Sequence, residues 1–181
     1  STLFGNFPKF HGDHHALEFL CDYLRLLTLG ASNPHEVEAV MDEELEIHHN
    51  ELHAISTAWA NFGDAVPALG IVAAVLGVIV TMSSITEPPE ILGGLIAAAL
   101  VGTFSGIFAS YGVLTPMAKS LEATYNADHH YFLCIKVALT GHMQGYAPQV
   151  SVEFARKTLA TPMRPSFAEV EEMLGALPNP G

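Results

Sequence analysis

The chain has 181 residues, half of them hydrophobic, with a positive mean hydropathy and a formal charge of −12 from 19 acids against seven Lys and Arg. Those cations are scattered (Lys9, Arg25, Lys119, Lys136, Arg156, Lys157 and Arg164), so nucleic acid is excluded as a partner, because its affinity comes from clustered cations on phosphates. Two distant cysteines, Cys21 and Cys134, make no disulfide framework and read as free thiols in a reducing compartment.

Ser1 to Asp13 carries Gly5, Pro8 and Gly12 and reads as an irregular lead-in. It opens without an initiator Met or a signal-peptide pattern, as expected of a fragment or of a chain trimmed upstream. From His14 to Leu29, Leu17, Leu20, Leu24 and Leu27 recur at helical spacing, and Gly30 is a plausible C-cap. This predicts a short amphipathic helix that needs a packing partner. Asn33-Pro34-His35-Glu36 is a helix start, with Asn33 as cap, Pro34 at the first position and Glu36 where a capping box wants an acid. Val37, Val40, Met41, Leu45, Leu52 and Ile55 then keep a helical stripe, with no breaker before Gly63. The simplest reading is one helix from Pro34 to about Ser84, roughly 75 Å long at 1.5 Å per residue, about half of it cytoplasmic.

Two uncharged runs follow. Ala65–Thr86 and Ile91–Ala118 contain no Asp, Glu, Lys, Arg or His. A membrane-crossing helix needs about 20 largely apolar residues, so each run is long enough alone. The link Glu87-Pro88-Pro89-Glu90 reads as a tight turn, since proline lacks the N–H that a continuing helix uses. The expected fold is an all-α membrane protein: a transmembrane hairpin over 64–118, with spans at about 65–85 and 91–117, between cytoplasmic helical regions at 1–63 and 119–181. The link has no Lys or Arg and Lys119 follows the second span, so the positive-inside rule puts both ends in the cytoplasm. Past the membrane, Leu121, Tyr125, Phe132, Ile135 and Leu139 keep helical spacing to Gly145, and Pro148 breaks it. Helix resumes over Gln149–Leu159, and Ser166-Phe-Ala-Glu169 is a capping box opening a last helix that ends near Gly175. No strand-like alternation and no repeat is present.

Gly94, Ala98, Gly102, Gly106 and Ser110 form a ladder of small residues four apart, and Gly70, Ala73, Ala74 and Gly77 a smaller patch on the first span. Small residues let helix backbones approach closely in lipid, within this chain or between chains. Proton pathways usually need an intramembrane carboxylate or His, and the hairpin has none, so a titrating group would come from a partner. What remains is hydroxyl, with Thr103 and Ser105 mid-span and Thr81, Ser83, Ser84, Tyr111 and Thr115 nearer the ends. These either bond their own helix or line a wet path. Pro67 and Pro116 mark kinks or hinges at the cytoplasmic membrane edge.

His49 and His53 with Glu46, and His48 with Glu44, stand at metal-ligand spacing, but HHNELH lacks the zincin order and a solvated acidic helix face explains it as well. The adjacent pairs His14-His15 and His129-His130 read as surface. No metal and no cofactor is expected. No phosphate loop or nucleophile elbow occurs, so the chain does not read as an enzyme.

DAVPALGIVAAVLGVIVTM, EILGGLIAAALVGTFSGIFASYGVLTPMA, MDEELEIHH, GYAPQVSVEFARKTL and RPSFAEVEE closely resemble the flagellar stator branch of the MotA/TolQ/ExbB proton channel family. The resemblance covers nearly the whole chain, with these segments in the right order and spacing. It implies a multi-pass inner-membrane subunit whose first two of four membrane helices lie upstream of Ser1. Several copies, an expected homopentamer, would surround two copies of a single-span, peptidoglycan-anchored MotB-like partner that supplies the proton-carrying Asp. Protonation would step the ring and drive the rotor protein FliG through charged cytoplasmic residues. The family's two functional prolines match Pro67 and Pro116, and its pore-facing threonine matches Thr103. Its main rotor-contacting Arg and Glu would lie upstream, while Glu44 matches a lesser charged position. Sodium-driven relatives place a Thr in the patch at Ala73 and Ala74, so Ala74 favours protons. Two other readings stand beside this one: a TolQ- or ExbB-like energiser, against which MDEELEIHH and VEFARKTL argue, and a passive membrane scaffold.

Overall fold

The computed structural model describes residues 4–177, and these are helical throughout, joined by short turns. In chain order they form a 3-10 turn Phe4–Asn6, then α1 (Pro8–His11), α2 (His14–Thr28), α3 (Pro34–Ser83) and α4 (Pro89–Ala109). A π-helical turn Ser110–Leu114 leads into α5 (Thr115–Met143), followed by α6 (Pro148–Thr158), a 3-10 turn Thr161–Met163 and α7 (Phe167–Gly175). The lead-in expected to be irregular thus holds two short helical turns, although Ser1, Thr2 and Leu3 lie outside the described residues.

The chain divides into two compact units, Ser1–His49 with Asn126–Gly181, and Asn50–Tyr125. In the first, Ala16, Phe19 and Tyr23 of α2, Val37, Met41 and Leu45 of α3, and Phe132 and Leu139 of α5 form the core. Phe19 meets Phe132 edge-on, with ring centroids 5.5 Å apart. The buried face of α2 is therefore one position away from the leucines expected to carry it, and Leu24 is exposed. Phe19 and Tyr23 bury more apolar area than leucine does, and the helix turns to seat them. The α3 stripe likewise narrows to Val37, Met41 and Leu45, leaving Val40 and Ile55 outside. Lys136 is buried beside this core, its ammonium 2.6 Å from Asp42 and 3.5 Å from Glu38.

Helix ends are set by a few residues. Asp13 caps α2 by accepting from the Ala16 N–H at 3.1 Å. Gly30, at φ 102°, lets its own N–H reach the Leu27 carbonyl and that of Ala31 reach Leu26. Gly145, at φ 86°, ends α5 in the same way, with bonds to His142 and from Tyr146 to Gly141. Each pair of bonds is a Schellman closure, which needs a left-handed residue. The Ser166–Glu169 capping box is present in both directions. At Asn33 the pattern differs: its Oδ1 accepts from the His35 N–H, and its Nδ2 donates to the Glu36 carboxylate at 2.8 Å.

In the second unit α3 and α4 form an antiparallel hairpin. Two helical stretches, Pro34–Ser83 and Pro89–Met143, are long and apolar enough to cross a membrane. Only 11% of the apolar window of either is buried within the chain. Ile71, Val75, Ile79, Leu100, Phe104 and Phe108 are among the large side chains left outside. A buried helix of a soluble core would not leave them there; lipid or a neighbouring protein covers such a surface.

Candidate ion-coupling site

The hairpin seam is made of glycine. A methyl group added at Gly70 would lie 2.9 Å from the Gly102 carbonyl oxygen and 3.2 Å from Gly106 Cα. One added at Gly106 would lie 3.0 Å from both Gly70 Cα and the Val66 carbonyl oxygen, and one at Gly77 would strike Ala99. Gly102 faces Ala73. The helices therefore meet backbone to backbone, as small residues allow. Of the expected ladder, Gly102 and Gly106 face this seam, joined by Ala99, and Ser110 is buried. Gly94 and Ala98 do not: Ala98 is exposed, and a methyl at Gly94 would meet nothing.

The hydroxyls separate into two kinds. Thr81 donates to the Gly77 carbonyl, Ser83 to Val80 and Ser105 to Val101, all on their own helices at 2.6–2.9 Å. Thr103 instead reaches across the seam to the Gly70 carbonyl, 3.5 Å away and on the other helix. At that length the contact is a weak one. Ser110 is fully buried and its Oγ has no hydrogen-bond partner. Ala74 is partly buried and Ala73 exposed.

Pro67 and Pro116 fall towards the same end of the hairpin, since Gly63, one turn before Pro67, packs on Leu114 and Thr115. Pro67 is half-buried and Pro116 exposed. Pro67 lies within α3, where its missing N–H leaves the Gly63 carbonyl without a helical donor. Pro116 is accommodated differently: the π-turn before it is closed by the Thr115 N–H on the Ser110 carbonyl, five residues back. The extra residue widens the helix where the proline ring would otherwise meet the preceding turn. Nothing in the sequence announces this turn. Beside it, a cleft of about 240 Å³ is lined by His53, Ser56, Thr57, Asp64, Thr115, Lys119 and Glu122, among others.

Glu44 lies in the first unit, where its carboxylate accepts from the Tyr23 hydroxyl at 2.5 Å. Tyr23 is 2% exposed, and burial first, then the Glu44 carboxylate, pushes its phenol well above the usual range. Of the histidines expected at the surface, His14, His15 and His130 are exposed and His129 is not. His129 is half-buried against His49, ring centroids 4.7 Å apart, and His48 Nε2 lies 3.4 Å from Asp128. Among the described residues no group of three His, Cys, Asp or Glu is arranged to hold a metal.

A closely packed hairpin of two membrane-length helices, with hydroxyls at its seam and no acid or base along its spans, defines a membrane-spanning helical subunit. The sequence model of the MotA/TolQ/ExbB proton channel family matches residues 13–132, and the chain belongs to that family. Motility protein A of Escherichia coli strain K12 is 44% identical over 180 residues, covering 99% of this chain and 61% of that protein. Chemotaxis protein LafT of Vibrio parahaemolyticus is 33% identical over 174 residues, covering 96% and 61%. Of solved structures, C. jejuni MotAB matches with a TM-score of 0.74 and 25% identity, over 82% of this chain and 58% of that one. The flagellar MotAB stator complex of Bacillus subtilis matches at 0.70 and 26%, over 88% and 58%. The chain thus spans about three fifths of the length of the curated relatives it matches.

Proposed function

We propose that this chain is part of an ion-conducting stator subunit of a bacterial flagellar motor, coupling proton flow across the inner membrane to torque on the rotor. One observation carries the reading beyond family membership: the spans hold a hydroxyl poised across a glycine seam, at Thr103 and Gly70, yet no Asp, Glu, Lys, Arg or His. Proton passage needs a titrating group, which these two spans do not carry, and we assign it to a second polypeptide. A MotB-like, peptidoglycan-anchored single span supplying an Asp meets that need, and the similarity to MotAB complexes supports it.

In this reading five copies of the subunit ring the partner. Pro67 and Pro116 act as hinges between the membrane and cytoplasmic parts, and Thr103 lines the path. Ala73 and Ala74 offer no side-chain oxygen, which suits protons better than a sodium ion that must be held by oxygen ligands. Glu44 belongs to the charged cytoplasmic surface that meets FliG, oriented by Tyr23.

The test is proton entry in cells expressing the full-length protein with and without its MotB-like partner, read as cytoplasmic acidification. Entry that requires both proteins and is abolished when the partner's Asp is replaced by Asn is the expected result. Entry no greater than in cells with neither protein would leave only a scaffold.

A further inference from the structure

Five of the chain's ten histidines gather in the first unit: His15 of α2, His48 and His49 of α3, and His129 and His130 of α5. The His49 and His129 rings are 4.7 Å apart, those of His15 and His48 6.0 Å, and those of His129 and His130 6.1 Å. His48 also leans on the core ring of Phe132, at 5.5 Å, so the cluster is continuous with the core. Neutral imidazoles carry no charge to repel at these distances. Imidazolium ions at these separations repel, and the repulsion strengthens as water is excluded.

Asp128 lies 3.4 Å from His48. Further along the same helices, Glu44 accepts from Tyr23, while Glu38 and Asp42 hold Lys136. Burial first, then His49, His130 and His48, hold the His129 imidazole below its usual range, against an opposing pull from Asp128.

We propose that this histidine cluster is an acid-sensitive contact, which holds α3 against α5 when neutral and loosens that packing when the cytoplasm turns moderately acidic. The direction follows from linkage. A closed state that binds the His129 proton less well than the open state is fully stabilised above the ordinary histidine value of 6.5 and loses that stability as pH falls below it. Resting on the stator reading, the contact would sense the acidity of the side on which protons emerge and relay it through the helices that continue into the membrane.

Hydrogen–deuterium exchange of residues 45–53 and 126–135 tests this in the full protein reconstituted in lipid, corrected for the intrinsic chemistry of exchange. Between about pH 7.5 and about pH 5.5, opening of these segments should rise about tenfold in the wild type and stay nearly level in His49→Gln/His129→Gln. An equal rise in the double variant, or no rise in the wild type, overturns the proposal. Should the double variant not fold, imidazole NMR of the wild type decides instead: His129 must titrate below the ordinary histidine range, with a neighbour shifting in step. Titration at or above that range overturns it. Neither readout involves rotation, so failure here and failure of the stator reading are distinguishable.

Discussion

Thr103 is the residue on which the proposed ion path turns. Its hydroxyl is held loosely across the seam, whereas Ser105, two residues on, is tied to its own backbone at 2.7 Å. Replacing Thr103 by Val keeps the shape and removes the hydroxyl. Stability should change by about 1 kcal/mol or less, the net worth of an ordinary hydrogen bond. Proton entry and torque should fall severely, while Ser105→Ala should leave both near wild type; swimming speed and thermal unfolding of the two variants check this. Tyr23 gives a second residue-scale expectation. Its folded pKa is raised, so the stability it confers is present below the ordinary tyrosine value of 10.0 and lost as pH rises beyond it. Tyr23→Phe should blunt the loss of stability above about pH 10 seen in urea melts of the wild type, while lowering stability at neutral pH by about 1.5–3 kcal/mol through the lost bond to a carboxylate.

At the scale of elements, the glycine seam and the π-turn decide the hairpin. Gly70→Ala places a methyl 2.9 Å from a backbone oxygen, which cannot rotate away. Overpacking of this kind costs about 1–3 kcal/mol, whereas Gly94→Ala, in open space, should be neutral; unfolding in detergent separates the two. The long helices were legible because an uncharged run of membrane length has few other readings, and the Gly30 and Ser166 caps because their chemistry is local. The ladder was legible only in part. At 3.6 residues per turn, each four-residue step advances about 40° around the helix, so four steps from Gly94 to Ser110 wind through about 160°. A straight partner can face only some of those positions, and a three-residue step through Ala99 corrects the drift. Leucine spacing misplaces the buried face of α2 because it carries no weight for aromatic size. The π-turn and the histidine cluster were not legible, the first because it depends on an i→i−5 bond, the second because its members come from three helices.

For the whole molecule, the apolar exterior of the hairpin and the charged flanks together require a membrane. With Cys21 and Cys134 replaced by Ser, a single Cys at Glu87 should react with an impermeant maleimide added outside intact, outer-membrane-permeabilised cells. A single Cys at Glu122 should react only after lysis. The reverse pattern would invert the topology.

The most direct measurement of the central claim is rotation of tethered cells deleted for the gene that encodes this chain. Flagella that assemble but stand still, and turn again in speed increments as the gene is re-expressed, are what the account predicts. Normal rotation in the deletion strain, with no other stator gene present, would contradict it.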